Sequence, residues 1–209
     1  MRLYPVSIFM NSTSGVYRWK KQFEFPLIYG STRKGRFCDT VARWAASQLV
    51  ADSRFLLEIV DPGVDDGTDS LTKPGSEAIG SPQAVIERAD AVVVVTPEYN
   101  HGCPAPLKAL IDSTGLQWHA KPVAFVSYSG VSGGLRAVEQ LRQVFAELHA
   151  VTVRDAVSFA GAWEQFDADG MPLSPERRQR SMGTMLQFLH WWALALRNAR
   201  SARPYLTGG

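Results

Sequence analysis

The residues best suited to chemistry follow a run of four valines. After Val92–Val95 the chain continues as Thr-Pro-Glu-Tyr-Asn-His-Gly, which ends at Gly102. An uninterrupted apolar strand is typical of a parallel sheet covered by helices on both faces, and such sheets bind ligands in loops at the carboxyl ends of their strands. One carboxylate, one aromatic ring and one amide, with Gly102 to let the backbone approach closely, suit a flat, partly polar ring. We therefore predict a ligand-binding loop here.

General acid–base or nucleophilic catalysis is not predicted from this loop. No residue close in sequence orients His101 as a base, and no Ser or Cys nucleophile has a matching partner. His101 is better interpreted as a hydrogen-bonding residue of the loop. The alternative for the loop as a whole is a turn in which Tyr99 packs and Asn100 caps the following helix.

A second loop, Gly30–Arg36, has the sequence GSTRKGR and lies between a predicted strand and a predicted helix. Its hydroxyls, its backbone N–H groups and the helix N-terminus would suit a phosphate, and Arg33 and Arg36 add charged donors. It matches neither GxxxxGK[ST] nor GxGxxG, so neither a Walker A loop nor a dinucleotide pyrophosphate site is indicated. A solvated basic turn is the alternative.

A third loop, Ser127–Gly134, reads SYSGVSGG and precedes a predicted helix at Leu135. Its glycines free the backbone to wrap the edge of a ligand with N–H groups. Amides at a helix N-terminus favour negative charge, so this loop would stabilise a bound ring that becomes anionic. A simple connecting turn is the alternative.

The elements that position these loops alternate between strands and helices. Alternation of this kind predicts βαβ units with right-handed crossovers and a parallel sheet. We predict an α/β, flavodoxin-like, doubly wound five-stranded parallel sheet with helices on both faces, in which the loops after the first, third and fourth strands meet. The predicted strands are Phe23–Tyr29, Phe55–Val60, Ala89–Thr96, Pro122–Ser127 and Val151–Phe159, and the predicted helices are Cys38–Leu49, Pro82–Arg88, Pro104–Leu116, Leu135–His149 and Pro175–Asn198.

Size and composition fit one soluble domain. The 209 residues suit a single domain over 23–209, and residues 1–22 are expected to form a flexible extension. A formal net charge of +2 does not suggest a nucleic-acid or membrane surface. Cys38 and Cys103 are two isolated cysteines without CxxC spacing, as expected of free thiols in a reducing cytoplasm. We expect a cytoplasmic protein.

Three segments together resemble the NADPH-dependent FMN reductase family. They are YGSTRKGR at 29–36, TPEYNHGCPAPLKALID at 96–112 and SYSGVSGGLRAVEQLRQVFAELHA at 127–150. The resemblance covers roughly residues 23 to 160. It implies a flavodoxin-like fold, bound FMN, hydride from NADPH or NADH, and a homodimer or homotetramer.

The resemblance also assigns cofactor contacts by position. The first loop would hold the FMN phosphate, the second would line the isoalloxazine ring and ribityl chain, and the third would close the pyrimidine end of the ring. The implied cofactor-binding residues are Ser31, Arg33, Arg36 and Phe37 (or Cys38), then Pro97, Glu98, Tyr99, Asn100 and His101 with Gly102, then Ser129, Gly130, Gly133 and Gly134.

The implied function is an FMN-dependent NAD(P)H oxidoreductase that works by ping-pong hydride transfer and reduces a quinone-like, flavin or other small acceptor. A flavodoxin-type electron carrier without reductase activity is the alternative, although flavodoxins tend to be strongly acidic and this chain is near neutral. A flavin-free module that keeps only the fold is a further alternative. Arg136 and Lys108 are candidates for recognising the 2′-phosphate of NADPH.

Four positions depart from the family pattern, and several tryptophans are candidates for contacts with the ring or between subunits. Gly102-Cys103, Ala109 and Ser113 differ from the usual residues and should affect the substrate face or subunit contact. Trp118 and Trp163 are candidates to border the flavin in the same or a neighbouring subunit. The helix segment 187–195, with Trp191 and Trp192, is interpreted as either a buried core helix or a subunit interface.

Overall fold

The structure, a computed structural model, describes residues 22–63 and 81–205, together with the backbone of two short paired strands, β1 (Ser7–Ile8) and β2 (Trp19–Lys20). Apart from this pair and Gln22, the extension predicted over 1–22 lies outside the described residues. Most of the long loop between Asp61 and Ser81 does so as well. Within the described part of the chain, no helix is long and apolar enough to cross a membrane.

One parallel sheet forms the centre of the molecule. Its strands follow the spatial order β4-β3-β5-β6-β7, and β8 pairs with β6 beyond the end of β7. This is the 2-1-3-4-5 order of flavodoxin-like sheets, so the predicted fold class is confirmed. The strands are β3 (Phe23–Tyr29), β4 (Phe55–Val60), β5 (Val92–Pro97), β6 (Pro122–Ser129), β7 (Val151–Thr152) and β8 (Val157–Ala160).

Helices cover both faces of this sheet. On one face α1 (Cys38–Val50) and α5 (Pro175–Ala202) pack over Val93 and Val95. On the other face α2 (Pro82–Arg88), α3 (Ala105–Asp112) and α4 (Leu135–Glu147) pack over Val92 and Val94. The valine run is therefore apolar throughout because alternate side chains enter two separate cores.

The fifth predicted strand is interrupted, which corrects the continuous Val151–Phe159. Arg142 of α4 donates hydrogen bonds to the backbone carbonyls of Val153 and Arg154, at 2.8 and 3.0 Å. These carbonyls lie between β7 and β8 and bond to the guanidinium rather than to a neighbouring strand. The strand is consequently divided into two short pieces that both pair with β6.

The helix predicted over Pro104–Leu116 ends early, and this changes the role of Trp118. The helix stops at Asp112, and a short 3₁₀ turn follows at Leu116–Trp118. The indole of Trp118 is fully buried, donates to the Thr114 hydroxyl at 2.6 Å and packs edge-on against Phe145. The prediction that Trp118 borders the flavin is therefore wrong, because this side chain fills the core on the α3–α4 side.

Lys121 is a buried lysine at the edge of the sheet opposite the carboxyl ends of the strands. Its ammonium group donates to the backbone carbonyls of Ile86 and Glu87, the latter at 3.0 Å, where α2 ends. Burial lowers the pKa of Lys121 to about 7, and the positive charge of Arg200 acts in the same direction. The carboxylates of Asp90, Glu87 and Glu24 oppose that shift but do not cancel it.

Lys121 should make folding stability depend on pH. Its pKa is about 7 when folded and 10.5 when solvated, so between these values the unfolded chain binds the extra proton. The free energy of unfolding should then rise with pH across this window, by up to about 1.4 kcal/mol per pH unit from this group. Urea unfolding from pH 7 to 10.5 should show a flatter profile for Lys121→Met than for wild type. The control is Lys108→Met, at an exposed lysine paired with Asp112, which should leave the pH profile unchanged. Parallel profiles for Lys121→Met and wild type would contradict the lowered pKa of Lys121.

Candidate cofactor site

The three predicted loops meet in one cleft at the carboxyl edge of the sheet. They follow β3, β5 and β6, which are adjacent in the sheet. The cleft has a volume of about 220 Å³ and also receives Trp163, from the 3₁₀ turn Ala162–Glu164 that follows β8. Its lining residues are Arg33, Lys34, Gly35, Arg36, Phe37, Pro97, Glu98, Tyr99, Tyr128, Ser129 and Trp163.

The first two loops are joined through Tyr99. The Tyr99 hydroxyl and the buried Ser31 hydroxyl are hydrogen-bonded at 2.8 Å. The guanidinium of Arg33 lies 3.6 Å from the centroid of the Tyr99 ring, within cation–π range. Arg33 is exposed at the edge of the cleft, where its N–H groups suit a phosphate.

The guanidinium of Arg36 forms hydrogen bonds with other groups of the chain. It donates to Asp39 at 2.7 Å, to both carboxylate oxygens of Asp61, and to the backbone carbonyl of Ser31. Its side chain is 12% exposed and that of Asp61 is 14% exposed. The hydrogen bonds that Arg36 donates to Asp61 and then to Asp39 raise the pKa of Arg36 above its ordinary value. Arg36 therefore ties the loop to the end of β4 and to the first turn of α1.

The second loop turns back on itself within four residues. The backbone groups of Tyr99 and Gly102 exchange two hydrogen bonds of 3.0 Å, and Asn100 and His101 form the tip with left-handed φ angles of 49° and 68°. Both tip side chains are exposed. The next residue, Cys103, donates its backbone N–H to Gln140 of α4 at 2.7 Å. The tip is thus fixed at its base while Asn100 and His101 extend into solvent.

Glu98 links the second loop to the third. Its carboxylate accepts hydrogen bonds from the Ser132 hydroxyl at 2.7 Å, from the backbone N–H of Arg136 at 3.0 Å and from the Arg136 guanidinium at 2.8 Å. Burial acts to raise the pKa of Glu98, but these hydrogen bonds hold it below the ordinary value. Glu98 thus lines the cleft and carries an ionised carboxylate whose side chain is only 5% exposed.

The glycines of the third loop lie behind the cleft. The Gly133 carbonyl accepts from the hydroxyls of Ser127 and Ser158, at 2.8 and 2.9 Å, so the turn is fastened to β6 and β8. Gly133 and Gly134 are both buried. Ser129 lines the cleft directly, and the Gly130 carbonyl accepts from the Gly161 amide, which leads to Trp163.

Aromatic rings form one wall of the cleft. Phe37 lies 5.9 Å from Tyr128 and 6.0 Å from Trp163, between ring centroids. Burial raises the pKa of Tyr128, with a further contribution from Cys38 beneath it, so this phenol stays neutral. Tyr128 is not among the site residues predicted from the sequence, although its place just after the apolar run of the fourth strand is a signal for such a role. Trp163 does line the cleft.

The donor set fits a phosphorylated flavin. A hydroxyl, the exposed guanidinium of Arg33 and the N-terminus of α1 provide donors for a phosphate, and aromatic rings line the same cleft. In a comparison with protein families, the NADPH-dependent FMN reductase family matches residues 25–164. The chain belongs to this family. The resemblance predicted from three motifs is confirmed, and with it an oxidoreductase class that uses FMN and NAD(P)H.

Relatives with assigned functions support the membership. The chain is 37% identical over 130 residues to an NAD(P)H-dependent FMN reductase of Schizosaccharomyces pombe, covering 56% of this chain and 63% of that protein. It is 33% identical over 183 residues to a quinone reductase of Pseudomonas putida, covering 81% and 94%. The match thus spans less than two thirds of the yeast relative and nearly all of the bacterial one.

Among solved structures, the flavoenzyme NAD(P)H:(acceptor) oxidoreductase FerB of Paracoccus denitrificans superposes with a TM-score of 0.61 at 22% identity. The superposition covers 81% of this chain and 97% of that chain. At this level of identity the likeness concerns the fold. It agrees with the strand order of the sheet.

Two basic residues proposed for NADPH recognition have partners inside the chain. Arg136 is bound to Glu98, and Lys108 forms an ion pair of 2.7 Å with Asp112, one turn along α3. The side chains of Lys108 and Arg136 are both about half-exposed. Recognition of the NADPH 2′-phosphate by either residue stays a prediction.

Proposed function

We infer that this chain is an FMN-dependent NAD(P)H oxidoreductase that delivers electrons to a quinone-like, flavin or other small acceptor. The observation that carries the proposal is the cleft in which three family motifs meet, lined both by donors suited to a phosphate and by aromatic side chains. FMN, when bound, would supply the hydride-accepting ring and the onward transfer of electrons. The side chains of this chain are then required to bind, orient and shield that ring.

At the phosphate end, Ser31, Arg33 and the N-terminus of α1 would hold the anion. Arg36 would hold the loop in place through its aspartate partners, and Phe37 would pack against the cofactor where α1 begins. Backbone N–H groups at a helix start and a guanidinium provide both geometry and charge for a phosphate.

At the ring end, the second and third loops would enclose the flavin between them. The residues proposed to contact the ring are Pro97, Tyr99, Asn100, His101, Ser129, Gly130, Gly133 and Gly134, and Glu98 would hold the two loops around it. Tyr128 and Trp163 would add apolar surface and exclude water from one side of the ring. No side chain is proposed as a catalytic acid or base, since orientation and electrostatics suffice for hydride transfer.

We also propose a cytoplasmic homodimer or homotetramer that binds no nucleic acid and no membrane. Of the segment 187–195, Leu189 and Ala193 are buried in the core, whereas Phe188, Trp191 and Leu194 are exposed on the opposite side of α5. Exposed aromatic side chains of this kind are enriched at protein interfaces, which supports the proposed oligomer.

Arg33→Ala should weaken FMN binding specifically through the phosphate. Loss of one charged phosphate contact is expected to raise the Kd for FMN about 10- to 100-fold. The Kd for riboflavin, which lacks the phosphate, should change less than about threefold. Fluorescence titration with both flavins measures this, with Arg43→Ala, an exposed arginine of α1, as the control. Equal losses for FMN and riboflavin would contradict the assignment of Arg33.

A steady-state assay separates the enzyme from the electron-carrier alternative. With FMN bound, oxidation of NADPH or NADH in the presence of benzoquinone should give parallel double-reciprocal lines, as a ping-pong reaction requires. Folded, FMN-loaded protein that does not turn over either nucleotide would favour the carrier.

A further inference from the structure

The Glu98 carboxylate accepts hydrogen bonds from other residues of the chain. Its side chain is 5% exposed, and its oxygens accept three hydrogen bonds from Ser132 and Arg136. All three cross from the loop after β5 to the loop and helix after β6. We call the three residues Glu98, Ser132 and Arg136 the Glu98 clamp.

The clamp caps a helix from another part of the chain. Arg136 is the second residue of α4, and its N–H is among the first-turn donors that lack a partner within the helix. Gly134, at the N-cap position, has no side chain that could accept from it. The carboxylate of Glu98 takes the place of the missing cap and complements the positive end of the helix dipole.

The clamp also fixes the turn between β6 and α4. Ser132 stands in the middle of the sequence Gly130-Val131-Ser132-Gly133-Gly134, where glycines leave the backbone many conformations. Its hydroxyl donates to Glu98 at 2.7 Å and accepts from the Gly134 amide at 3.2 Å. The turn thus depends on Glu98 for part of its order.

We propose that Glu98 is a positioning residue for the flavin ring: it sets the distance between the second and third loops and acts through Ser132 and Arg136 rather than by contact with the cofactor. This proposal rests on the function proposed above. The clamp lies beside the part of the cleft assigned to the ring, whereas Arg33 lies at the phosphate end. Damage to the clamp should therefore weaken FMN and riboflavin binding by the same factor.

The test measures Kd for FMN and for riboflavin in Glu98→Ala, Glu98→Gln, Ser132→Ala and the double variant. Glu98→Ala should weaken both flavins about 10- to 100-fold, since charge-assisted hydrogen bonds are lost. Glu98→Gln, which keeps an acceptor oxygen, should lie between Glu98→Ala and wild type. Ser132→Ala should reproduce part of the loss, and the double variant should lose little more than Glu98→Ala, because both changes break one network. Glu147→Ala, at the exposed far end of α4, should match wild type.

A second measurement needs no flavin. Hydrogen exchange of the flavin-free protein should show faster exchange of amides over 130–137 in Glu98→Ala, and unchanged exchange there in Glu147→Ala. Unchanged exchange in Glu98→Ala would overturn the clamp. A loss of flavin binding in Glu98→Ala with full binding in Ser132→Ala and Arg136→Ala would also overturn the proposal, in favour of direct contact. Wild-type protein that binds neither flavin would refute the proposed function, and with it the positioning role, even if the exchange result showed an intact clamp.

Discussion

Gly134→Ala is expected to destabilise the protein by about 3–5 kcal/mol, or to prevent folding. Gly134 has a φ of +85°, and a Cβ placed there would lie 2.8 Å from the Ser127 Cβ and 3.0 Å from the Tyr128 backbone nitrogen. Those atoms belong to the buried strand β6 and cannot move aside without disturbing both cores. The variant therefore combines left-handed strain with a backbone clash, and total stabilities are only about 5–15 kcal/mol.

Gly161→Ala separates these two causes. Gly161 has a similar φ of +61°, but the nearest atom to its Cβ position is 3.9 Å away. Its substitution should cost about 1–2 kcal/mol, the strain alone. Urea unfolding of both variants makes the comparison. Equal losses of stability in the two variants would contradict the claim that the close packing of Gly134 against β6 adds to the cost of the substitution.

Arg36→Ala is expected to cost about 2–4 kcal/mol of stability and to weaken FMN binding as well. Removing the guanidinium leaves Asp61 and Asp39 without their shared partner, and the Ser31 carbonyl loses a donor. The loop that carries Ser31 and Arg33 is then no longer tied to the end of β4. Urea unfolding and FMN titration on the same samples measure both effects.

Arg54 provides the matched control for Arg36. It pairs with Asp52, but the two side chains are 30% and 25% exposed, so Arg54→Ala should cost less than about 1 kcal/mol and leave FMN binding unchanged. An Arg36→Ala protein with wild-type stability and reduced FMN affinity would instead identify Arg36 as a phosphate ligand alone.

Most of the fold was predictable from the periodicity of apolar residues and from the Pro and Gly residues that separate the helices and strands. Phe23–Tyr29, Phe55–Val60 and Pro82–Arg88 have the predicted bounds, because each ends at a clear change in residue type. The interruption of the fifth strand was not predictable, since it depends on Arg142 reaching across from α4. The early end of α3 was missed for a related reason: Thr114 continues the helical pattern, but its hydroxyl turns back to the carbonyls of Leu110 and Ile111.

The site was predictable as three loops but not as a network. The sequence identified Arg36 as a charged donor near a phosphate, whereas its two aspartate partners include Asp61, which is 25 residues away. Glu98 was likewise assigned by position to the ring, and its bonds to Ser132 and Arg136 depend on how two loops approach in space. Patterns in one chain report which residues lie near a site, while their hydrogen-bond partners are set by tertiary packing.

The most direct test of the central claim is a visible spectrum of the purified chain during titration with FMN, followed by anaerobic addition of NADPH. We predict tight, saturable FMN binding and then rapid loss of the flavin's visible absorption. Bound FMN that keeps its colour with both NADPH and NADH would contradict the reductase assignment. A well-folded chain that binds no FMN would contradict the three-loop cofactor site itself.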